Sequence, residues 1–363
     1  MPSSPTEQLP YLTAELPGTG GVLRSTDDDF KVDEVPMYPP SGAGDHVFVR
    51  IEKRGLTTAA AAGALARALG VAERDIGIAG MKDRHAVTRQ WLSLPPPVQP
   101  DQIAALALNS ITVLEAIRHN HKLRTGHVRA NRFVVRVRGV TPDAADRARA
   151  ILARLARPPG ALNWYGEQRF GREGDNAARG LELVRGGARG RDRRRDRLMV
   201  SALQSQLFND WLRARLADDL YDRVIAGDLL HKVGGGMFEC EDPVTDEPRL
   251  RAGELVLTGP MFGERMRRPS PGTPASEREL AILTAAGLEP GAFAAVRAIA
   301  EGTRRDATIA VTDVTVAGVA IAGADGETLE VAFTLPGGAY ATAVMREVTK
   351  TLPIRVDDTP QAA

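Results

Sequence analysis

Residues Ile76–Leu94 read IGIAGMKDRHAVTRQWLSL. Two short runs, Ile76–Gly80 and Thr88–Leu94, have the apolar and β-branched content of strands. The first closes on glycine and the second on Pro95-Pro96-Pro97. Between them lies a loop, Lys82-Asp83-Arg84-His85, with one carboxylate among three basic side chains. A strand–loop–strand unit that presents a single acid in a basic setting has two readings. It is a surface ion-pair cluster, or a carboxylate kept charged by its neighbours and available as a nucleophile. Gly80 would let a ligand backbone approach closely.

Working outward, TTAAAAGALARALG reads as a helix with Thr57 or Thr58 as N-cap and Gly70 as its stop. Before it, Phe30–Val35 (FKVDEV) and His46–Lys53 (HVFVRIEK) have strand period, and Ser41–Asp45 forms the turn between them. After it come ITVLEAIRH and Asn131–Val140 (NRFVVRVRGV). In the latter, Phe133, Val135 and Val137 face one way, and Arg132, Val134, Arg136 and Arg138 the other. A helix follows with Thr141 as cap and Pro142 in its first turn, running to about Leu155. Arg157–Gly160 (RPPG) breaks it.

The composition then shifts. Ala161–Asn176 is loop-rich, an arginine run at Arg189–Arg197 precedes an amphipathic helix over Leu198–Ala217, and Gly234–Gly253 is rich in glycine and acid. Another helix begins at Ser276 with capping-box spacing. From Ala307 the strand–helix pattern returns in ATIAVTDVTVAGVAI, TLEVAFTLPGG and AYATAVMREVTK. The chain therefore reads as a core of residues 1–157 and 307–363 with a domain, 158–306, inserted into it.

Hydrophobic residues make up 43% and charged residues 26% of the 363, ordinary for a globular protein, and the net charge is only +1. A nucleic-acid surface would need charge segregation rather than excess. The chain has it. Arg118–Arg138 carries seven Lys or Arg, three of the six histidines and no acid, whereas Leu216–Glu254 carries ten acids against four bases. Such basic density on a hairpin suits phosphate contacts, or a strand edge kept charged against aggregation. Phe133 within it is a base-stacking candidate or a core residue packed with Val135 and Val137.

Cys240 is the lone cysteine, which rules out an internal disulfide framework and a Cys-rich zinc site and fits a reducing cytosol. No run of about 18 apolar residues appears. Met1–Gly21 lacks signal-peptide character and reads as a leader or loosely attached arm. His119-Asn120-His121 spells HNH without accompanying metal ligands, so phosphate contact or turn structure is expected there. P-loop, GxGxxG, GxSxG and HExxH patterns are absent, which argues against nucleotide-triphosphate and dinucleotide chemistry.

Six blocks together resemble one family. AGMKDRHAVTRQ, DDDFKVDEVP with SGAGDHVFVRIEKRGLTT, HKLRTGHVRANRF, NWYGEQRFGREGDN, SALQSQLFNDWLRAR and FTLPGGAYATAVMRE are similar, in order, to the signatures of TruD-type tRNA pseudouridine synthases. The resemblance implies an α+β fold. Its catalytic core is a mixed, mainly antiparallel sheet flanked by helices, and an inserted α+β domain completes an RNA-binding cleft. It implies Asp83 as catalytic aspartate and Phe30, Asn131, Phe133 and Phe333 as substrate-binding positions; Lys82, next to Asp83, is expected to keep that carboxylate ionised or to hold a substrate phosphate. Lys122, Arg124, Arg129 and Arg132 are expected on the RNA backbone. The implied activity is isomerisation of a uridine in tRNA, the family target being U13, to pseudouridine, with neither cofactor nor metal. The route is covalent addition or a glycal-type path. A different or broader RNA substrate, or tRNA binding without turnover, are the alternatives. tRNA is the expected partner, the cytoplasm the expected location, and a monomer the expected state. Two departures stand out: the family's N-Y-F-G is Asn163-Trp164-Tyr165-Gly166 here, and its frequent glycine before Asn-Arg-Phe is Ala130.

Overall fold

The computed structural model describes residues 9–171, 173–188, 190, 192–319 and 327–351. The chain forms two compact units, one from Glu15–Ala156 with Val311–Ala363, the other from Arg157–Ala310 with the N-terminal residues to Ala14.

The first unit is built on a nine-stranded sheet. Its central path runs Thr312–Val319, Glu327–Pro336, Val128–Val140, Phe30–Pro36, Val87–Leu94, His46–Arg54, Ile111–His119. Val22–Leu23 and Gly77–Ile78 add two short edges to it. Every pairing is antiparallel except one, between Phe30–Pro36 and Val87–Leu94. The alternation in Asn131–Val140 holds: Phe133, Val135 and Val137 are buried, whereas Arg132 is exposed and Arg136 and Arg138 half-buried. The helix Thr58–Leu69 lays Ala61, Ala62, Leu65 and Ala66 onto Val47, Val49, Ile51, Leu92 and Leu94. Small alanines bring the helix close to the β-branched sheet face. Thr57 is its cap, its hydroxyl accepting from Ala60 N–H at 3.1 Å, and Gly70 ends it at φ 67° in the left-handed region.

Several boundaries differ from the sequence reading. Ile76–Gly80 contributes only Gly77–Ile78 as strand. Gly77 is pressed so tightly that a Cβ there would sit 2.2 Å from Ser93 Oγ and 2.4 Å from the Leu123 carbonyl oxygen. The helix after Pro142 starts at Ala144 with Asp143 as N-cap rather than Thr141. Thr141 is engaged elsewhere: its N–H donates to Thr19 O, and its carbonyl closes a turn with Ala144 N–H.

In the second unit the helix Arg193–Ala217 runs against a four-stranded sheet ordered Met237–Glu239, Leu229–Lys232, Leu255–Met261, Thr303–Asp306. Arg193–Arg197 is thus the first turn of a helix capped by Asp192, while Arg189 and Arg191 lie outside the described residues. The helix expected at Ser276 spans Pro274–Ala285 and is capped by Thr273, because Pro274 fits the first helical position. Leu9 and Leu12 pack against this unit's core, so that part of the N-terminal segment is held rather than loose. Ala320 and Ile321 of the expected late strand lie outside the described residues.

Candidate active site

The parallel pairing of Phe30–Pro36 with Val87–Leu94 covers only Lys31↔Val87, Val32↔Thr88 and Asp33↔Arg89. One residue further on, the sheet splits. The Glu34 side chain enters the split, where one carboxylate oxygen accepts from Trp91 N–H at 3.1 Å and the other meets the Lys82 ammonium. The two side chains are 1% and 7% exposed. This places Lys82 differently from the sequence expectation: its charge is spent on Glu34, below the surface.

The loop above this pair is pinned along its main chain. Lys82 N–H donates to Thr58 Oγ1 at 2.8 Å, and that hydroxyl donates to Gln90 Oε1 at 3.0 Å. The Asp83 carbonyl accepts from Lys53 Nζ at 2.8 Å. Asp83 itself points outward: its side chain is 55% exposed and takes Arg24 Nη2 at 2.7 Å. Arg24 in turn lies 4.0 Å over the Phe30 ring and has φ 58°, a left-handed conformation that costs a non-glycine residue free energy. A strained arginine holding an exposed carboxylate is the kind of arrangement that functional sites retain. Sequence reasoning missed Arg24, because 59 residues separate it from Asp83 and no spacing links them.

The remaining site residues fall into three groups. Phe30, Phe133 and Phe333 meet in one buried stack: Phe133 lies directly across from Phe333, ring centroids 5.6 Å apart, and meets Phe30 edge-on at 6.0 Å. Asn131 pairs with Glu34 across the strands, which brings it to the split. It is 8% exposed, and its Oδ1 has no hydrogen-bond partner among the described residues; nor do Thr88 Oγ1 and Gln90 Nε2. An unfilled buried acceptor is costly and calls for a ligand or water.

The basic residues divide. Arg129, at the start of the long strand, and Arg124, on the segment leading into it, are exposed, and that segment is tied to the Asp83 loop by Gly126 N–H to the Ala79 carbonyl at 2.8 Å. Lys122 reaches the Arg74 carbonyl at 2.7 Å. Strand alternation sends Arg132 to the opposite sheet face from Asn131 and Phe133. There it lines a basin of about 430 Å³ with Lys31, Arg89 and Glu330. Arg136 and Arg138 are spent on Glu330 and Asp29.

Of the HNH letters, His119 ends a strand and is buried, while Asn120 and His121 are exposed in the bend that follows it. His119 stacks on Tyr38 at 5.5 Å and 8°, and touches Phe48 at 3.9 Å. Burial, with His121 and His46 nearby, pushes its imidazole below the usual histidine range. Among the described residues no group of three or more His, Cys, Asp or Glu is placed to hold a metal.

The architecture is that of an α+β protein built on a mixed, mainly antiparallel sheet flanked by helices. The fold matches that of a Methanosarcina mazei protein described as a tRNA pseudouridine synthase D, with a TM-score of 0.77 at 21% identity over 93% of this chain and 95% of that one. The family model for tRNA pseudouridine synthase D (TruD) matches residues 8–191 and 191–348. The tRNA pseudouridine synthase D of Anaeromyxobacter dehalogenans is 51% identical over 94% of this chain and 96% of its own length. That of Thermus thermophilus is 40% identical over 95% and 93%. The chain belongs to the tRNA pseudouridine synthase D family.

Proposed function

We propose that the protein converts a uridine of tRNA, at the family target U13, to pseudouridine, with Asp83 as the catalytic carboxylate and no cofactor. The observation that carries this reading is the exposed Asp83 carboxylate, anchored by Arg24, on a loop rooted in the same sheet split as the unpartnered Asn131 Oδ1.

The reaction is an isomerisation. The N1–C1′ bond breaks, uracil turns in place, C5 bonds to C1′, the proton on C5 departs, and N1 regains one. Nothing is oxidised or hydrolysed. As N1–C1′ breaks, the ribose carbon gains positive character, and a fixed carboxylate stabilises it. Arg24 keeps that carboxylate in one orientation, so little reorganisation is needed when charge develops.

The target base leaves its stack to reach the site, at a cost of a few kcal/mol. Asn131 Oδ1 can accept from the uracil N3–H and so offset part of that cost. The Phe30–Phe133–Phe333 stack is buried in the structure, so its role in this reading is to form the apolar floor beneath the base rather than a free platform. Arg124 and Arg129 supply phosphate contacts on the neighbouring segment.

The test is incubation with an unmodified tRNA transcript, without added metal or cofactor, followed by carbodiimide mapping. Pseudouridine at position 13, absent from a transcript with cytidine there, is the expected result. A tRNA that stays unmodified, or one modified elsewhere only, would refute the assignment.

A further inference from the structure

We propose that Lys53 is a positioning residue for this reaction, its buried ammonium fixing the main chain that carries the Asp83 carboxylate. The inference rests on the assignment of Asp83 above. In the strand His46–Arg54, Val47, Val49 and Ile51 form a wholly buried apolar stripe on alternate residues. The next position in that stripe is Lys53, also 0% exposed, where an aliphatic residue would satisfy packing at far lower desolvation cost.

Lys53 has no carboxylate within ion-pair distance among the described residues. Its Nζ instead donates to two main-chain carbonyls, Asp83 O at 2.8 Å and Leu56 O at 2.5 Å. Those two carbonyls belong to different loops. One bears the acid; the other leads into the helix whose Thr58 hydroxyl holds Lys82 N–H. A single ammonium thus ties together both anchors of the loop. The charged groups that face it are Asp83, Lys82 and Asp27, the last 3.9 Å from His85. Burial brings the Lys53 pKa down to about 8, against the opposing pull of Asp83. The loop's anchor therefore loses its charge in mildly alkaline solution, and its charge-assisted bonds weaken.

The experiment uses the full-length protein and saturating enzyme over an unmodified tRNA transcript, in single turnover. Lys53→Met should lower the rate constant roughly 10- to 100-fold through misplacement of the carboxylate, with tRNA affinity within about two-fold of wild type. Lys53→Gln, which keeps one donor, should recover part of the rate. Wild type alone should lose rate as pH rises through about 8, and Lys53→Met should be flat there. A Lys53→Met protein at full rate with the wild-type pH profile overturns the inference. So does equal loss of rate and affinity in Lys53→Gln, and, if neither variant folds, a wild-type rate that does not fall between pH 7 and 9 (the ~2-unit window around a titrating amine). Asp83→Asn run alongside separates the two claims. If it is inactive while Lys53→Met is unimpaired, only the positioning role fails; if it turns over, the assignment of Asp83 fails first.

Discussion

The Glu34–Lys82 pair makes a quantitative prediction, because both partners are almost fully sealed. Replacing Lys82 by Met leaves the Glu34 carboxylate buried without its cation. Breaking a buried pair from one side costs about 3–5 kcal/mol. The pair belongs to a unit of the size class in which 1 kcal/mol shifts the melting temperature by about 2–4 °C. Lys82→Met should therefore melt roughly 6–20 °C below wild type. Removing both charges should behave differently. In Glu34→Leu with Lys82→Met the stranded charge is gone, and an apolar pair of similar volume is often neutral. What remains is the Trp91 N–H, which loses its 3.1 Å acceptor, at a cost of about 1–3 kcal/mol. The double variant should thus be more stable than Lys82→Met alone. Differential scanning calorimetry of the four proteins reads this directly. A Lys82→Met protein that melts within a degree or so of wild type, or single losses that simply add in the double variant, would refute the burial argument.

Arg24 predicts a trade-off. Arg24→Gly relieves the left-handed backbone at φ 58° by about 1 kcal/mol and removes the Asp83 partner, so pseudouridine formation should fall while thermal stability holds or rises; a variant losing both together would contradict the pairing role. On the RNA side, Arg124→Ala and Arg129→Ala should each flatten the log–log salt dependence of tRNA binding by about 0.7–0.9. An unchanged slope in filter-binding titrations would remove that segment from the interface.

Much of the fold was legible because it rests on local patterns. The period of two in His46–Lys53 and Asn131–Val140 marks strands with one buried face, and Thr57 with Gly70 brackets a helix by side-chain chemistry within one chain segment. Asp83 stood out as the one acid in a basic loop between strands. The contacts that organise it did not. Arg24 lies 59 residues away, Lys53 reads as the polar end of a strand, and Glu34 enters the split only because its parallel neighbour pairs for three residues and then diverges. Lys82 seemed to serve Asp83 by adjacency, yet successive residues of an extended loop point in different directions, and its side chain turns inward to Glu34. Of the two readings its pattern allowed, Phe133 takes the core one by burial, two residues along the strand from Asn131.

The central claim is that one exposed carboxylate carries the chemistry. Asp83→Asn keeps the side chain's size and the Lys53–carbonyl contact but removes its charge. Mixed with tRNA labelled with tritium at uridine C5, wild-type protein should release tritium in step with pseudouridine formation. Asp83→Asn, binding the same tRNA, should release none above background. Release at the wild-type rate from Asp83→Asn would contradict the account.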